Sequence, residues 1–294
     1  MKKIIIMIVS LLIFTFSGIQ SSFAKDKLII LNAGSKTGGF AMQMTAMSKD
    51  LAPYYDIDLR IPGDYCTAVQ MLKSIKGPVM MTWANDFEVA WRNGTGCATF
   101  DIKPSQVINY GQSVMMICSM NFDADSLMKN EHTVAHTTPV GPNSAAVLAI
   151  NQSFGAKLKP IAYDGSGAAK AGLYNGEVDY IMTSAKHGNK VIQNGGQCFY
   201  EYSANKNSPF IPLANLDPSN KLLKLSMEEV WVGLNMTANE TEKLRKLVKT
   251  IANDSSSAIS KYISNVRSPK YLFDLTDDEI TENWENAVTS WLKE

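Results

Sequence analysis

Short apolar runs alternate with segments of helical periodicity along this chain, and that alternation constrains its fold more than any other feature of the sequence. The first run, residues 27–33, ends in a glycine-rich turn, after which apolar residues recur at helical spacing as far as Leu51. The same pattern returns at 57–75 and at 79–91. Strands that alternate with helices pair in parallel and are covered by those helices on both faces. The sequence therefore predicts an α/β fold with a parallel sheet.

The chain then leaves this first series and starts a second, smaller one. Residues 106–120 are rich in strand formers, have no helical period, and are expected to supply one or two strands. The second series has predicted strands at 133–136, 159–162, 178–182 and 197–202, and predicted helices at 143–154, 168–174 and 185–193. Roughly 270 residues follow position 24, which is more than one compact core usually organises. We therefore expect two α/β lobes, one formed by residues 25–119 and 199–294 and the other by residues 120–198.

Two helix starts in the C-terminal part carry a recognisable capping pattern. After a predicted strand at 229–236, Thr237 and Glu240 have the three-residue spacing of a capping box, and Thr276 and Glu279 repeat it. Apolar residues follow each box at helical spacing. We therefore expect two amphipathic helices, the last of which packs against a lobe.

The N-terminus has the pattern of a secretory signal peptide. An apolar run at residues 4–16 follows Lys2 and Lys3, and Ser22 and Ala24 place small residues where a signal peptidase needs them for a cut after Ala24. A membrane anchor is the alternative, but the run is shorter than the ~20 apolar residues that a spanning helix requires. We therefore expect residues 1–24 to be a signal peptide and the mature protein to reside in the periplasm.

Charge and motif content argue against several classes of function. The chain has 28 Lys and Arg residues and 28 Asp and Glu residues, so the composition indicates no nucleic-acid partner. Three histidines without a complete ligand set nearby do not indicate a metal site. Ser144 does not stand in a Gly-x-Ser-x-Gly elbow, and no motif points to a cofactor. We therefore expect a protein that is not an enzyme and needs neither metal nor cofactor.

All four cysteines, Cys66, Cys97, Cys118 and Cys198, follow the predicted signal peptide. An even number of cysteines in an oxidising compartment indicates disulfides, and four cysteines allow three connectivities. We expect Cys66–Cys97 within the first lobe. We expect Cys118–Cys198 between the strands that leave and re-enter that lobe, since those strands must run close together.

Three predicted strand-to-helix turns carry the residues best suited to bind a ligand. Glycines at such turns let backbone N–H groups approach an anion at the positive end of a helix. One turn belongs to the first lobe and two belong to the second, so together they predict a ligand cleft between the lobes. The candidate ligand-binding residues are Ser35, Lys36, Thr37, Gly38, Gly39, Phe40, Trp83, Asn143, Ser144, Tyr163, Asp164, Gly165, Ser166 and Thr183.

Most of these residues also have a purely structural explanation. A Gly-Gly turn can be tight without binding anything, and a loop lysine such as Lys36 is more often solvated. Capping of the helix explains Asn143 or Ser144 equally well. Core packing is the simpler role for Trp83.

The glycine-rich turns also carry a family resemblance. The chain contains Gly38-Gly39, the turn Tyr163-Asp164-Gly165-Ser166-Gly167, and the segment Leu173-Tyr174-Asn175-Gly176-Glu177-Val178-Asp179. In their strand–helix–strand context, these motifs resemble the periplasmic solute-binding proteins of tripartite tricarboxylate transporters, the Bug or TctC-like family. The resemblance implies a type II periplasmic-binding-protein fold whose facing loops hold a small carboxylate ligand through backbone N–H groups. It also implies delivery of that ligand to membrane permease subunits, and we expect a monomer.

Other functions stay open on the sequence. A binding protein of an ABC or TRAP-type system would share the Tyr-x-Gly-Ser type of turn. A protein that presents a ligand to a membrane sensor, or an enzyme such as a transferase on the same fold, is also compatible with two lobes. The export signal and the lack of an activated nucleophile disfavour the enzyme.

The signal peptide gives the first testable prediction. Exported protein is expected to begin at Lys25, because Ser22 and Ala24 supply the small residues of the cleavage site. Intact-mass spectrometry of protein recovered from the periplasm measures this directly. A mass that still includes residues 1–24 would contradict the assignment.

Overall fold

The computed structural model describes residues 25–92, 94, 96, 102–113, 115–137, 142–202, 227–266 and 270–289, and the predicted signal peptide lies outside them. These residues form two sheets, ordered β11-β4-β10-β3-β1-β2 and β7-β6-β8-β5-β9. The strands are β1 (Lys27–Leu31), β2 (Asp56–Arg60), β3 (Val79–Ala84), β4 (Val107–Ser113), β5 (Met115–Ser119), β6 (Glu131–His136), β7 (Lys157–Ala162), β8 (Tyr180–Ser184), β9 (Gln197–Tyr202), β10 (Met227–Leu234) and β11 (Lys270–Leu272). We call the first sheet with its covering helices the first lobe, and the other the second lobe.

Each sheet has a parallel core of three strands extended by antiparallel strands. β1 pairs in parallel with β2 and β3, and β6 pairs in parallel with β7 and β8. β10 runs antiparallel to β3 and β4, and β5 runs antiparallel to β8 and β9. The predicted α/β class is confirmed. The sheets are mixed rather than parallel because β5 and β10, which carry the chain into the second sheet and back into the first, run against their neighbours.

Helices cover the sheets, and none of those in the described ranges is long and apolar enough to cross a membrane. Both predicted capping boxes form, since Thr237 and Thr276 each exchange hydrogen bonds with the glutamate three residues later. The short helix α4, the helix α9 and the strand β11 are additions that the sequence did not indicate. The helices are α1 (Gly39–Leu51), α2 (Tyr65–Ser74), α3 (Asn85–Arg92), α4 (Ala124–Lys129), α5 (Pro142–Phe154), α6 (Gly165–Tyr174), α7 (Ala185–Gln193), α8 (Ala238–Asn253), α9 (Ala258–Val266) and α10 (Asp277–Thr289).

The central strands of each sheet are buried on both faces. In the first lobe, Ile30 and Leu31 are fully buried but belong to core clusters on opposite faces of the sheet. In the second lobe, Met116 and Ile117 likewise belong to core clusters on opposite faces of the sheet. Successive side chains of a strand point to opposite faces, so a strand that is covered on both sides must be apolar throughout. This requirement explains the continuous apolar runs in the sequence.

The last helix, α10, contacts the cores of both lobes. Ile280 packs into a cluster of the first lobe, whereas Val288 packs into a cluster of the second. Arg92 of α3 forms a two-point ion pair with Glu285, with N–O distances of 3.0 and 3.1 Å. The predicted docking of the C-terminal helix is confirmed, and the helix spans the junction between the lobes.

The chain changes sheets between Ser113 and Met115, earlier than the boundary predicted near residue 120. Residues 106–120 supply two strands, as expected, but one strand goes to each sheet. β9 continues in the second sheet as far as Tyr202, beyond the predicted return near residue 198. The strand that enters the second lobe and the strand that ends it are therefore neighbours.

This pairing of β5 with β9 brings two cysteines together. Cys118 lies opposite Cys198 in the strand register, and the two form a disulfide, as predicted. Cys66 is also disulfide-bonded, and its predicted partner, Cys97, lies outside the described residues.

The Cys118–Cys198 disulfide should stabilise the second lobe. It closes a loop with a sequence separation of 80 residues, so its loss frees a long segment of the unfolded chain. The double variant Cys118→Ala/Cys198→Ala is expected to unfold with a free energy about 2–4 kcal/mol lower than that of the wild type. Urea denaturation without reductant measures the difference, and equal stabilities would contradict a stabilising role.

Candidate functional site

A cavity of about 280 Å³ lies between the two lobes, where the parallel strands of both sheets end. In the first lobe, its walls contain residues that follow β1, β2 and β3, within 33–43, 63–65 and 86–87. In the second lobe they contain residues at or after the ends of β6, β7 and β8, namely 137, 143, 164–166 and 184–186. The carboxyl ends of parallel strands are where open α/β sheets bind ligands. This cavity is therefore the candidate ligand site.

The lobes approach each other closely beside this cavity. A Cβ atom added at Gly165 would lie 3.4 Å from Ser35 Oγ, and one added at Gly167 would lie 3.3 Å from Thr37 Oγ1. Gly165 also has a φ of +87°, which residues with a side chain rarely adopt. The two glycines thus let the backbone that starts α6 come against the first loop of the other lobe.

Aromatic side chains form one wall of the cavity. Tyr65 and Phe87 stack with their ring centroids 4.8 Å apart, and Phe40 meets Phe87 edge-on at 6.2 Å. Trp83 is fully buried and packs edge-on against Tyr65 and Phe87, at 6.0 and 5.2 Å. Such packed rings offer an apolar surface of fixed shape to the carbon skeleton of a ligand.

Three helices begin at the cavity without a side-chain cap. Gly38, Asp164 and Ser184 precede α1, α6 and α7, and none of them forms a capping hydrogen bond through its side chain. Asp and Ser normally do so, as Asp64 does when it accepts the N–H of Thr67 at 2.8 Å. The first-turn N–H groups of α1, α6 and α7 thus have no side-chain cap, and the positive ends of three helix dipoles converge here. This arrangement favours an anion.

Lys186, the second residue of α7, adds a full positive charge to the same wall. Its side chain lines the cavity and is only 7% exposed. Within the described residues it forms no salt bridge with any Asp or Glu, and its Nζ lies 6.0 Å from the centroid of the Tyr262 ring. Burial lowers the pKa of Lys186 to about 8, with smaller contributions from the charges of Lys190 and Lys170. The ammonium group is therefore still protonated at neutral pH, although it has lost much of its hydration.

Polar side chains of the first lobe also line the cavity. Gln43 and Glu229 are both buried, and Gln43 Nε2 donates to Glu229 Oε2 at 3.3 Å. Asp86, in the first turn of α3, accepts the N–H of Phe87 at 3.0 Å, and burial raises the pKa of Asp86 to about 7. In the described part of the chain, no group of three or more His, Cys, Asp or Glu side chains could hold a metal ion. The cavity therefore combines a cation from one lobe with hydrogen-bond acceptors from the other.

Many of the predicted site residues meet at this cavity, although their contact with a ligand stays a prediction. Helix α5 starts at Pro142, so Asn143 lies within its first turn rather than at the cap. The predicted residues that line the cavity are Ser35, Gly38, Gly39, Phe40, Asn143, Asp164, Gly165 and Ser166.

The other predicted site residues do not line the cavity. Lys36 and Thr37 are exposed on the first loop, and Trp83 lies behind the aromatic wall. Thr183 is fully buried, and Tyr163 donates its hydroxyl to Glu177 at 3.3 Å. The side chain of Ser144 lies outside the described part.

Several residues of the cavity wall were missed in the sequence. Lys186 follows a strand-to-helix turn of the kind that predicted the site, so its position was a usable signal. The burial of Lys186 could not be predicted from the sequence, because Tyr262, which covers the Lys186 side chain, comes from α9. The missed residues with polar side chains include Gln43, Asp64, Asp86, Lys186, Glu229 and Tyr262.

Comparison with known proteins identifies the fold. Neither a protein-family profile nor a curated protein sequence matches the chain. Among solved structures, the periplasmic binding protein BugD matches with a TM-score of 0.69 at 12% identity, over 92% of this chain and 95% of BugD. MatC from Rhodopseudomonas palustris with bound malate matches with a TM-score of 0.66 at 12% identity, over 91% of this chain and 97% of MatC.

A third structure, Rpa4515 of R. palustris with adipate, matches with a TM-score of 0.70 at 12% identity, over 92% of this chain and 96% of that one. A TctC solute-binding protein from Polaromonas also shares the fold. Because these matches cover 91–92% of this chain, they include both of its sheets and both of its lobes. The chain therefore has the two-lobed α/β fold of the Bug and TctC periplasmic binding proteins, as its sequence motifs predict.

Proposed function

We propose that this protein is a periplasmic solute-binding protein that captures a small carboxylate between its lobes and delivers it to a membrane permease of the tripartite tricarboxylate type. The observation that carries the proposal is the buried Lys186 at the cavity wall, which has no acidic partner among the described residues. A buried charge is costly unless an opposite charge accompanies it. A ligand carboxylate supplies that charge.

The surroundings of Lys186 support an anionic ligand. The uncapped starts of α1, α6 and α7 offer backbone N–H groups from both lobes. Two of the structures with the same fold, MatC and Rpa4515, contain malate and adipate. Both molecules are small carboxylates, which is the chemistry that a lysine and helix N-termini recognise.

Export and delivery rest on the predicted signal peptide and on the periplasmic binding proteins that share the fold. A monomer that encloses its ligand between two lobes can release it when the lobes separate. Delivery to an ABC or TRAP-type permease, or to a membrane sensor, would use the same cavity. Copurification with membrane components from the native host distinguishes these partners.

We also propose binding without turnover. BugD and the TctC protein from Polaromonas, which share this fold, are binding proteins, and the buried groups at the cavity are arranged to hold an anion. A ligand recovered unchanged after prolonged incubation is the expected outcome. Product formation in proportion to the protein would favour an enzyme on the same fold.

A substitution of Lys186 tests whether this buried charge contributes to ligand binding. Lys186→Gln removes the charge, and the affinity for whichever of malate or adipate binds the wild type is expected to fall about tenfold to a hundredfold, as for loss of a charged hydrogen bond. Isothermal titration calorimetry measures the affinity. Lys190→Gln is the matched control because Lys190 lies in the same helix but is exposed, and its affinity should stay within about twofold. Equal affinities for wild type and Lys186→Gln would contradict the proposal.

Gly165 tests whether closure of the lobes contributes to binding. Gly165→Ala adds a methyl group in van der Waals contact with Ser35 Oγ, at 3.4 Å and at a φ of +87°, so it opposes any closer approach of the lobes and is expected to weaken ligand binding about tenfold. Gly176→Ala is the matched control, because Gly176 has a φ of +73° with nothing within 4 Å of the added Cβ. Both variants should lose similar stability, but only Gly165→Ala should lose affinity in calorimetry. If the two variants bind the ligand with equal affinity, the contact between Gly165 and Ser35 does not contribute to binding.

A further inference from the structure

We infer that the ligand carries a hydrogen-bond donor, an ammonium or a hydroxyl group, in addition to its carboxylate. This inference rests on the proposed function and specifies the class of carboxylate. It follows from acceptor groups at the cavity that have no donor in the protein.

The first acceptor is Gln43. This side chain is 3% exposed, lines the cavity, and donates its amide N–H to the Glu229 carboxylate. That hydrogen bond fixes the orientation of the amide, because the NH₂ group must face the carboxylate. The other end, Gln43 Oε1, is buried and has no hydrogen-bond partner in the described structure.

The second acceptor is Asn143, from the opposite lobe. It is 8% exposed and lines the cavity, and its Nδ2 donates to Thr137 Oγ1 at 2.9 Å. Asn143 Oδ1 is likewise buried and has no partner within the described residues. The two lobes therefore each contribute an amide that is satisfied at its donor end and unsatisfied at its acceptor end.

Asp86 extends the same pattern. Its carboxyl group lines the cavity on the first lobe and accepts the backbone N–H groups of Phe87 and of Asp86 itself. Burial raises the pKa of Asp86 to about 7. A ligand ammonium nearby would favour the ionised carboxylate and form an ion pair, whereas a ligand hydroxyl would donate to either form.

An unsubstituted dicarboxylate does not satisfy these groups. Its oxygens are acceptors when ionised, so they match Lys186 and the helix N-termini but not Gln43 Oε1 or Asn143 Oδ1. Buried polar atoms left without a partner lower stability and affinity. A ligand with an ammonium or hydroxyl group beside its carboxylate satisfies the donors and the acceptors of the cavity together.

The experiment compares matched ligands on the wild-type protein by isothermal titration calorimetry. One series is succinate, malate and aspartate, and the other is propionate, lactate and alanine. Within each series the carbon skeleton is constant and only the donor group changes. At least one donor-bearing member is expected to bind tenfold or more tightly than the unsubstituted acid of its series.

Substitutions at Gln43, Asn143 and Asp86 test whether these side chains cause the preference for a donor-bearing ligand. Asn143→Leu and Gln43→Met remove an amide at nearly constant volume, and each should lower the ratio between the affinity for the donor-bearing ligand and the affinity for the unsubstituted acid. Asp86→Asn distinguishes the two donors, because it should weaken an ammonium ligand more than tenfold and a hydroxyl ligand much less.

The failures are distinguishable. If neither these six acids nor adipate binds, the proposed function is wrong. If the unsubstituted acids bind as tightly as their amino and hydroxy analogues, the proposed function stands and this inference is overturned. The inference is also overturned if the Asn143→Leu and Gln43→Met variants lose the same affinity for all ligands, because the amides then affect only the fold.

Discussion

Burying the ammonium group of Lys186 costs free energy unless an anion comes to it, and the architecture around the cavity follows from that constraint. The protein holds this charge at the start of α7, where the helix dipole disfavours a cation, and covers it with Tyr262 from the other lobe. Two further helix starts without side-chain caps reach the same space. On the proposed function, an anionic ligand relieves all of these costs at once, and its binding is then coupled to closure of the lobes.

The fold brings these groups together through strand direction. Six parallel strands, three in each sheet, end at the cavity, so each loop that follows a strand can contribute to one site. The antiparallel strands β5 and β10 connect the lobes, and α10 packs into both cores. Among the described residues, the lobes are therefore linked by a small number of elements, which permits the opening and closing that the proposed function needs.

The sequence predicted the parts of this structure that depend on local patterns. Alternating apolar runs and helical periodicity located β1 to β3 and β6 to β9, and strand topology predicted the Cys118–Cys198 disulfide. Glycines at strand ends located eight residues that line the cavity. Lys186 and Gln43 were not predicted as site residues, because their role depends on burial, and the residues that bury them are distant in the sequence. Trp83 was ambiguous for the same reason, and the structure places it behind the aromatic wall.

In the proposed function, Lys186 is a buried cation that receives the ligand carboxylate. Lysine side-chain NMR on the wild type, assigned with the Lys186→Gln variant, measures the pKa of this group directly. We predict a pKa of about 8 in the ligand-free protein, because burial disfavours the charged form. A bound carboxylate should raise that pKa, because it stabilises the ammonium group. A Lys186 pKa in the ordinary range for lysine that does not change when ligand binds would contradict the account.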